Sequence, residues 1–254
     1  MLCDSHTHLD QFTDHEVAVL VQRARDAGVG MIVNVGSTLE SSQRGIDLAA
    51  RYEIMYAGVG MHPMDLKRPF SDADGEVLRR MALSSPKVVC ISETGLDFLP
   101  TSPDRAWQDH AFREHIRLAR ELHKPIDFHA REAYDAILPL LREEHASDAG
   151  AVWHYFEASL PLAEEAMAMG FYISLAKPLL RLPELQAVVK TLPMERIVLE
   201  TDSYPQPWKK NPLMRTEPSH VVQVAAKVAE LKGLTVEEVA DITTRNLKRA
   251  LRLA

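Results

Sequence analysis

The sequence predicts an α/β protein folded as one (β/α)8 (TIM) barrel, a single domain over residues 1–254. Three observations lead there. Short β-branched apolar runs alternate strictly with amphipathic runs of helical period, which specifies parallel strands joined by right-handed crossovers. The length of 254 residues matches the ~250 that a closed eight-stranded barrel needs. No G-x-G-x-x-G follows the first strand, which counts against an open dinucleotide-binding sheet.

The first strand is expected over residues 2–8 and carries His6 and His8 at its C-terminal end. Residues two apart on a strand share a face, so both imidazoles can grip one ion. A helix follows over 14–27, with Asp14 as cap, Val17, Leu20, Val21 and Ala24 as its apolar stripe, and Gly28 and Gly30 closing it. The second strand is 31–35; Ser37 or Thr38 starts a helix to about Tyr52. The third strand, 54–60, runs into Met61-His62-Pro63 and a helix over 71–83. The fourth is 88–93, ending in Glu93. Ser102, Pro103 and Asp104 read as cap, first helical position and first-turn acid of a helix to His123, with Trp107 in the core.

The fifth strand is 125–129, and Arg131 opens a helix to Glu144. The sixth strand is 150–154, followed by a helix over 160–169 that Gly170 ends. The seventh is 171–175, followed by a helix through Leu185 and Val188, and the eighth is 196–202. Helices over 218–232 and 236–253 finish the chain, the latter opened by a Thr235/Glu238 capping box. The irregular stretch 203–217, rich in Pro, Lys and Asn, would lie over the barrel mouth as a lid or substrate loop.

The composition, 46% hydrophobic and 26% charged, supports a full core. No apolar run approaches the ~20 residues that span a bilayer, and no signal-peptide pattern opens the chain, so no membrane is expected. Cys3 and Cys90 fall inside strands, out of phase with the nearby His or Glu, and should point away from them. Two lone buried thiols suit a reducing, cytoplasmic location. The net charge of −7 argues against a broad grip on duplex DNA. It leaves room for a small phosphate or a strand end, since cations in a pocket reverse the local field. No obligate protein partner is evident.

Six of the eight strand ends carry a His or a carboxylate: His6 and His8, then His62, Glu93, His129, His154 and Asp202. In a (β/α)8 barrel these ends open on one rim, where active sites sit. His6, His8, His129, His154, Glu93 and Asp202 form a candidate metal set. One catalytic ion keeps a position open and has little use for six protein ligands. Two ions ~3.5–4 Å apart around a bridging carboxylate use the whole set. Glu93 is the expected bridge, and Asp202 would bind metal and take the proton of the attacking water. Glu93 and Asp202 are thus the expected catalytic residues. Four imidazoles favour zinc or manganese; phosphoryl chemistry favours magnesium.

Other rim residues allow two readings each. His62 either touches substrate or shapes the turn before Pro63. Arg131 either binds a substrate phosphate or carboxylate or forms a surface ion pair. Asp97 either orients a ligand or caps the following loop, and Asp4 either backs a ligand or is a buried polar group. Lys177, Lys209 and Lys210 either meet a polyanion or are solvated. His15, His110, His115, His123, His145 and His220 are expected away from the rim, in surface or packing roles.

Six stretches carry a resemblance: Asp4-Ser-His-Thr-His-Leu-Asp10, Gly60-Met-His-Pro63, Ser92-Glu-Thr-Gly-Leu-Asp97, His129-Ala-Arg131, His154-Tyr-Phe156 and Leu199-Glu-Thr-Asp202. On these the sequence resembles the TatD family of metal-dependent deoxyribonucleases, within the amidohydrolase-like barrels. The resemblance implies hydrolysis of DNA phosphodiesters, at single strands or ends, by a metal-activated water. It implies one ion on His6, His8 and Asp202 and a second on His129 and His154. Glu93 would lie between them, with His62 and Arg131 near the substrate.

Where the family usually shows Cys-Phe, a small residue and Gly, this chain has Tyr155-Phe156-Glu157-Ala158, which adds an acid beside the mouth. Ser203-Tyr204-Pro205-Gln206 reorders the family's Pro-Tyr, Phe98 replaces a common Tyr, and Thr216 replaces Asn. The metal shell matches and the substrate shell departs. That keeps open a metal-dependent hydrolase of a small-molecule ester, lactone or amide, and, as a lesser alternative, a non-catalytic scaffold that keeps its metals for stability.

Overall fold

The computed structural model describes residues 1–211 and 214–253. Among them, eight parallel strands form one sheet whose spatial order is the sequence order. The strands are β1 (Leu2–Thr7), β2 (Val29–Val35), β3 (Met55–Val59), β4 (Val88–Asp97), β5 (Ile126–Arg131), β6 (Ala151–Trp153), β7 (Tyr172–Leu175) and β8 (Ile197–Leu199). The helices α1 (Asp14–Asp26), α2 (Leu39–Arg51), α3 (Asp72–Leu83), α4 (Arg105–Leu122), α5 (Tyr134–Glu143), α6 (Leu160–Ala168) and α7 (Pro183–Thr191) alternate with them. After β8 come α8 (Val221–Lys232) and α9 (Val236–Ala250).

The ring closes through a parallel bridge between Thr7 and Ser203. The His8 amide donates to Ser203 O at 2.8 Å, and the Asp202 amide to His6 O at 3.0 Å. The seam of the barrel therefore lies at the residues that carry His6, His8 and Asp202. No helix is long and apolar enough to cross a membrane among the described residues.

The expected elements are present, with boundaries moved by local chemistry. Thr13, not Asp14, caps α1: its hydroxyl accepts from the Glu16 amide, and the Glu16 carboxylate accepts from the Thr13 amide. Such a pair satisfies two otherwise orphan donors. Asp104, not Ser102, caps α4, accepting from the Ala106 and Trp107 amides. Arg131 does not open a helix; it ends β5, and α5 starts at Tyr134. β4 runs four residues past Glu93, so Asp97 belongs to the strand. β6 and β8 are shorter than expected, which leaves His154 and Asp202 just beyond them. The 218–232 helix begins as a 3-10 turn, Pro218–His220. Thr235 and Glu238 form the expected capping box of α9. Pro212 and Leu213, within the 203–217 stretch, and Ala254 lie outside the described residues.

Alternate residues Met31, Val33 and Val35 of β2 cluster with Cys3, Cys90, Val152 and Val198, with Leu247 and Ala250 of α9, and with Leu251 just beyond it. Such alternation marks the inward face of the ring. α9 seals the N-terminal ends of the strands: Asn246 donates to Ile197 O, Thr244 to Met1 O, and Arg252, just beyond the helix, to Ala149 O. The opposite, C-terminal rim is left open. The outward faces, including Ile32, Ile91 and Phe128, pack on the helices, with Phe128 against Trp153 and Phe171.

Cys3 and Cys90 are buried and unpaired. Contrary to expectation they share the inward face with the rim site. Register shifts in β1 between Asp4 and Thr7, and in β4 between Ile91 and Thr94, reset the strand phase. His6, His8 and Glu93 thereby turn inward above the two thiols.

Candidate metal centre

Two glycines make room for the centre. A Cβ on Gly60 would stand 2.7 Å from Ser92 C and O, so β3 reaches the backbone of Glu93 only without a side chain there. Gly95 has φ +142, and a Cβ on it would lie 2.0 Å from His129 O; few side chains tolerate that backbone. The Glu93 amide donates to Gly36 O at 2.6 Å. Glu93 is thus held from both sides and is buried.

Each Glu93 oxygen faces a different set of imidazoles. Oε2 lies 3.5 Å from His6 Nε2 and 3.4 Å from His8 Nε2. His8 Nε2 lies 3.3 Å from His6 Nε2 and 3.4 Å from Asp202 Oδ1. Oε1 lies 3.1 Å from His154 Nε2, 3.4 Å from His129 Nδ1 and 3.3 Å from His62 Nε2. Tetrahedral ligands ~2.0–2.1 Å from zinc are ~3.3–3.4 Å from one another, since the edge of a tetrahedron is ~1.6 times its centre-to-corner length. The spacings of 3.1–3.5 Å therefore suit a shared cation.

The hydrogen bonds behind the rings decide which nitrogens can ligate. His6 Nδ1 is 2.9 Å from Asp127 Oδ2, His154 Nδ1 is 3.0 Å from Glu200 Oε1, and His129 Nε2 is 2.9 Å from Asp97 Oδ2. A carboxylate there holds the ring proton, so the opposite nitrogen turns its lone pair to the centre. His62 is set the other way. Its Nδ1 accepts from the Met64 amide at 3.1 Å, so the neutral ring carries its proton on Nε2 and donates toward Glu93. That chemistry makes His62 a donor to bound oxygen rather than a ligand. His8 Nδ1 is buried without a partner.

Charge also calls for a cation. Burial would raise the Glu93 carboxyl, yet His62, His154 and His6 hold it well below the usual range. Asp202 likewise falls to about 2 against its burial, through His8 and His154. Burial and the stacked His154 ring oppose a proton on His6, but Asp127 and Glu93 still raise it to about 9. His8 and His154 are raised well above normal despite burial, by Asp202 and Glu93 and by Glu200 and Glu93. Ionised carboxylates thus hold protons on imidazoles, a place that a cation fills better. His6, His8 and Glu93 lie close enough together to hold one ion; Glu93 and His129 form a second cluster, in which His62 stands as the donor.

Above the centre is a cavity of about 380 Å³. It is lined by His8, His62, Glu93, His129, His154 and Asp202, with Arg131 and Tyr204 among the residues around them. His6 lies beneath the others, fully buried. The expected rim residues therefore converge on one place. Arg131 Nε donates to Asp97 Oδ2 at 2.7 Å, and its side chain stays 47% exposed at the cavity wall.

Asp97 takes both of its expected parts: Oδ2 serves His129 and Arg131, and Oδ1 accepts from Leu99 N and Ser102 Oγ. Asp4 backs no ligand ring; it accepts from Thr201 N and Oγ1 and ties β1 to β8. Glu157 lines the cavity, as the sequence suggests. Lys177 and Lys209 line an adjoining cavity, and Lys210 lines neither. His220 lines neither cavity and ends the 3-10 turn Pro218–His220. Sequence reasoning missed Asp127 and Glu200. Each stands two residues before a singled-out rim residue, His129 and Asp202, and that spacing was the available signal.

Comparison with known proteins places this arrangement. The family model described as TatD related DNase matches residues 3–252. The chain is 35% identical over 259 residues to "Uncharacterized metal-dependent hydrolase YabD" of Bacillus subtilis (strain 168), covering 100% of both. It is 35% identical over 227 residues to "3'-5' ssDNA/RNA exonuclease TatD" of Cronobacter sakazakii, covering 87% of this chain and 86% of the other. The crystal structure of YJJV, the TatD homolog from Escherichia coli K12, superposes with a TM-score of 0.90 at 28% identity, over 100% of this chain and 98% of that one. The chain belongs to the TatD-related DNase family of metal-dependent hydrolases.

Proposed function

We propose that this protein is a two-metal nuclease that hydrolyses phosphodiester bonds of single-stranded DNA. In this reading His6, His8 and Asp202 would hold one divalent ion and His129 and His154 a second, with Glu93 shared between them. The observation that carries it is the division of Glu93: Oε2 toward His6 and His8, Oε1 toward His129 and His154. The Cronobacter relative, named as an ssDNA/RNA exonuclease, supports the substrate class. The nitrogen-rich donor set favours zinc or manganese over magnesium. We read residues 1–254 as one domain. The two buried unpaired cysteines favour a reducing, cytoplasmic setting.

When bound, the ions lower the pKa of a water and neutralise charge that builds on phosphoryl oxygens. Asp202 lines the cavity and stays ionised near neutral pH, so its carboxylate can accept the proton of the attacking water. His62 Nε2–H points into the same space and donates to a substrate oxygen. Arg131, held by Asp97, presents a fixed positive charge at the wall for the phosphate. Asp127, Glu200 and Asp97 orient the ligand rings. The phosphorus gains a bond to the water oxygen and loses the bond to the leaving sugar oxygen, which ends protonated.

A second reading rests on Glu157, whose carboxyl lines the cavity and repels a polyanion. It favours a small ester, lactone or amide as substrate. One experiment separates the two. Metal-stripped protein is reconstituted in turn with magnesium, manganese or zinc and mixed with an end-labelled single-stranded DNA oligomer. Metal-dependent nucleotide release that disappears in His129→Ala supports the nuclease. No release with any metal, in protein that binds two ions, removes DNA as the substrate and moves the search to small esters.

A further inference from the structure

Beside the metal cavity lies a smaller one of about 140 Å³, and the two share Tyr155, Asp202 and Tyr204. At ~30 Å³ per water this is room for one phosphate group and little more. Its remaining charged lining is cationic: Lys177, Arg181 and Lys209. Lys177 opens the 3-10 turn Lys177–Leu180 after β7, and Lys209 comes from the mouth loop. Burial and the neighbouring Lys209 ammonium both push the Lys177 pKa down. Lys209 Nζ donates to a neutral group, Met214 O, at 3.2 Å. Burial raises the Glu157 carboxyl above its usual range, and the Arg181 charge only partly offsets that rise. Asp202, the acid of the shared wall, is engaged by His8. Cations gathered in a pocket of a chain with net charge −7 make a local field that attracts an anion.

The same loop carries an aromatic step. Trp208 is 64% exposed and leans on Tyr204, ring centroids 5.9 Å apart at 49°. A cationic groove with an exposed aromatic beside it is how proteins hold single-stranded nucleic acid: the cations take the backbone and the ring takes a base. A small neutral ester would leave both features idle.

Resting on the nuclease reading above, we propose that the Lys177–Arg181–Lys209 cavity holds the backbone phosphate next to the scissile one, with Trp208 stacking on the adjoining base. The protein is thereby selective for chains with more than one phosphate. The mouth loop is then a binding surface and not only a cover.

The test compares metal-loaded wild type with the double variant Lys177→Gln/Lys209→Gln. The substrates are thymidylyl-thymidine, with one phosphodiester, and a five-nucleotide oligothymidylate; kcat and KM are read across a salt series. The expected result is a rise of about tenfold or more in KM for the pentamer, much larger than for the dimer. The dependence of log KM on log salt becomes shallower by ~0.7 for each single-strand phosphate that the variant no longer neutralises. Lys210→Gln, outside both cavities, behaves as wild type. Pentamer binding quenches tryptophan fluorescence in wild type and not in Trp208→Phe. An equal rise for both substrates, no rise for either, or an unchanged salt slope overturns the subsite.

Failure of the nuclease reading looks different: wild type then cleaves neither substrate with any metal. In that case anisotropy of a labelled pentamer on metal-free protein decides. Binding that weakens in the double variant, with a shallower salt slope, keeps the cavity as a single-strand site. Equal binding, or none, overturns it.

Discussion

Asp127→Asn isolates one ring of the centre. The substitution keeps volume and shape in a buried position, and an amide oxygen can still accept from His6 Nδ1, now 2.9 Å from Asp127 Oδ2. What disappears is the negative charge that makes the opposite nitrogen a stronger donor. A hydrogen bond to a charged group contributes ~1.5–3 kcal/mol and a neutral one ~0.5–1.5, so the difference is about 1–1.5 kcal/mol, or roughly tenfold in affinity. That agrees with the low end of the ~10–100-fold cost of losing an outer partner of a metal-bound His. In the two-metal proposal the loss falls on the ion that His6, His8 and Asp202 would hold, while the rings of His129 and His154, proposed for the other ion, keep Asp97 and Glu200 behind them. The assay is competition of the stripped protein with a chelating metal indicator, resolving two dissociation constants, with thermal unfolding of metal-free samples to check the fold. Weakening of both ions alike, or of neither, would refute the assignment of Asp127 to one ring of one site.

Three further predictions follow the same lines. Asp97→Asn weakens the ion at His129 by a similar ~10-fold and also frees Arg131, so KM for DNA rises along with the metal requirement; a change in metal affinity with no change in KM contradicts the Arg131 role. Gly60→Ala places a Cβ 2.7 Å from the Ser92 backbone and pushes Glu93 aside; turnover drops by ~10–100-fold while circular dichroism stays native, and full activity would mean that Glu93 tolerates displacement. His115 is buried, and burial depresses it to about 4, while its ring bonds Met61 N and Ala111 O. Its folded pKa lies below the unfolded 6.5, so stability is intact above pH 6.5 and declines as pH falls toward 4. The decline, at ~1.4 kcal/mol per unit, reaches about 2 kcal/mol at pH 5. Denaturant unfolding of metal-free protein at pH 7 and pH 5 should show that loss and should show most of it missing in His115→Gln.

Much of this protein is legible in its sequence. The 2.0 and 3.6 periods place every strand and helix, because β-branched runs and amphipathic stripes are local signals. Convergence of His6, His62, Glu93, His129, His154 and Asp202 follows from topology alone, since parallel strands bring all C-terminal ends to one rim. Other features are set by groups distant in sequence. The register shifts in β1 and β4 come from how neighbouring strands pair, and they bring His6, His8 and Glu93 to the inward face that Cys3 and Cys90 also occupy, against simple alternation. The proton on each ring depends on Asp127, Asp97 and Glu200, which lie 121, 32 and 46 residues away from their imidazoles. The cap of α1 moved from Asp14 to Thr13 because a reciprocal bond with Glu16 satisfies more donors than Asp14 alone. Arg131 stayed in β5 because the strand pairs with β4 as far as Asp97.

In the two-metal proposal Glu93 joins two ions into one catalytic unit. Stripped protein titrated with manganese or zinc, with nucleotide release followed at each step, tests it most directly. Little activity is expected at one equivalent and a plateau at two, with Glu93→Gln no longer reaching that plateau. Full activity at one equivalent, or a Glu93→Gln variant that reaches the wild-type plateau, would contradict it.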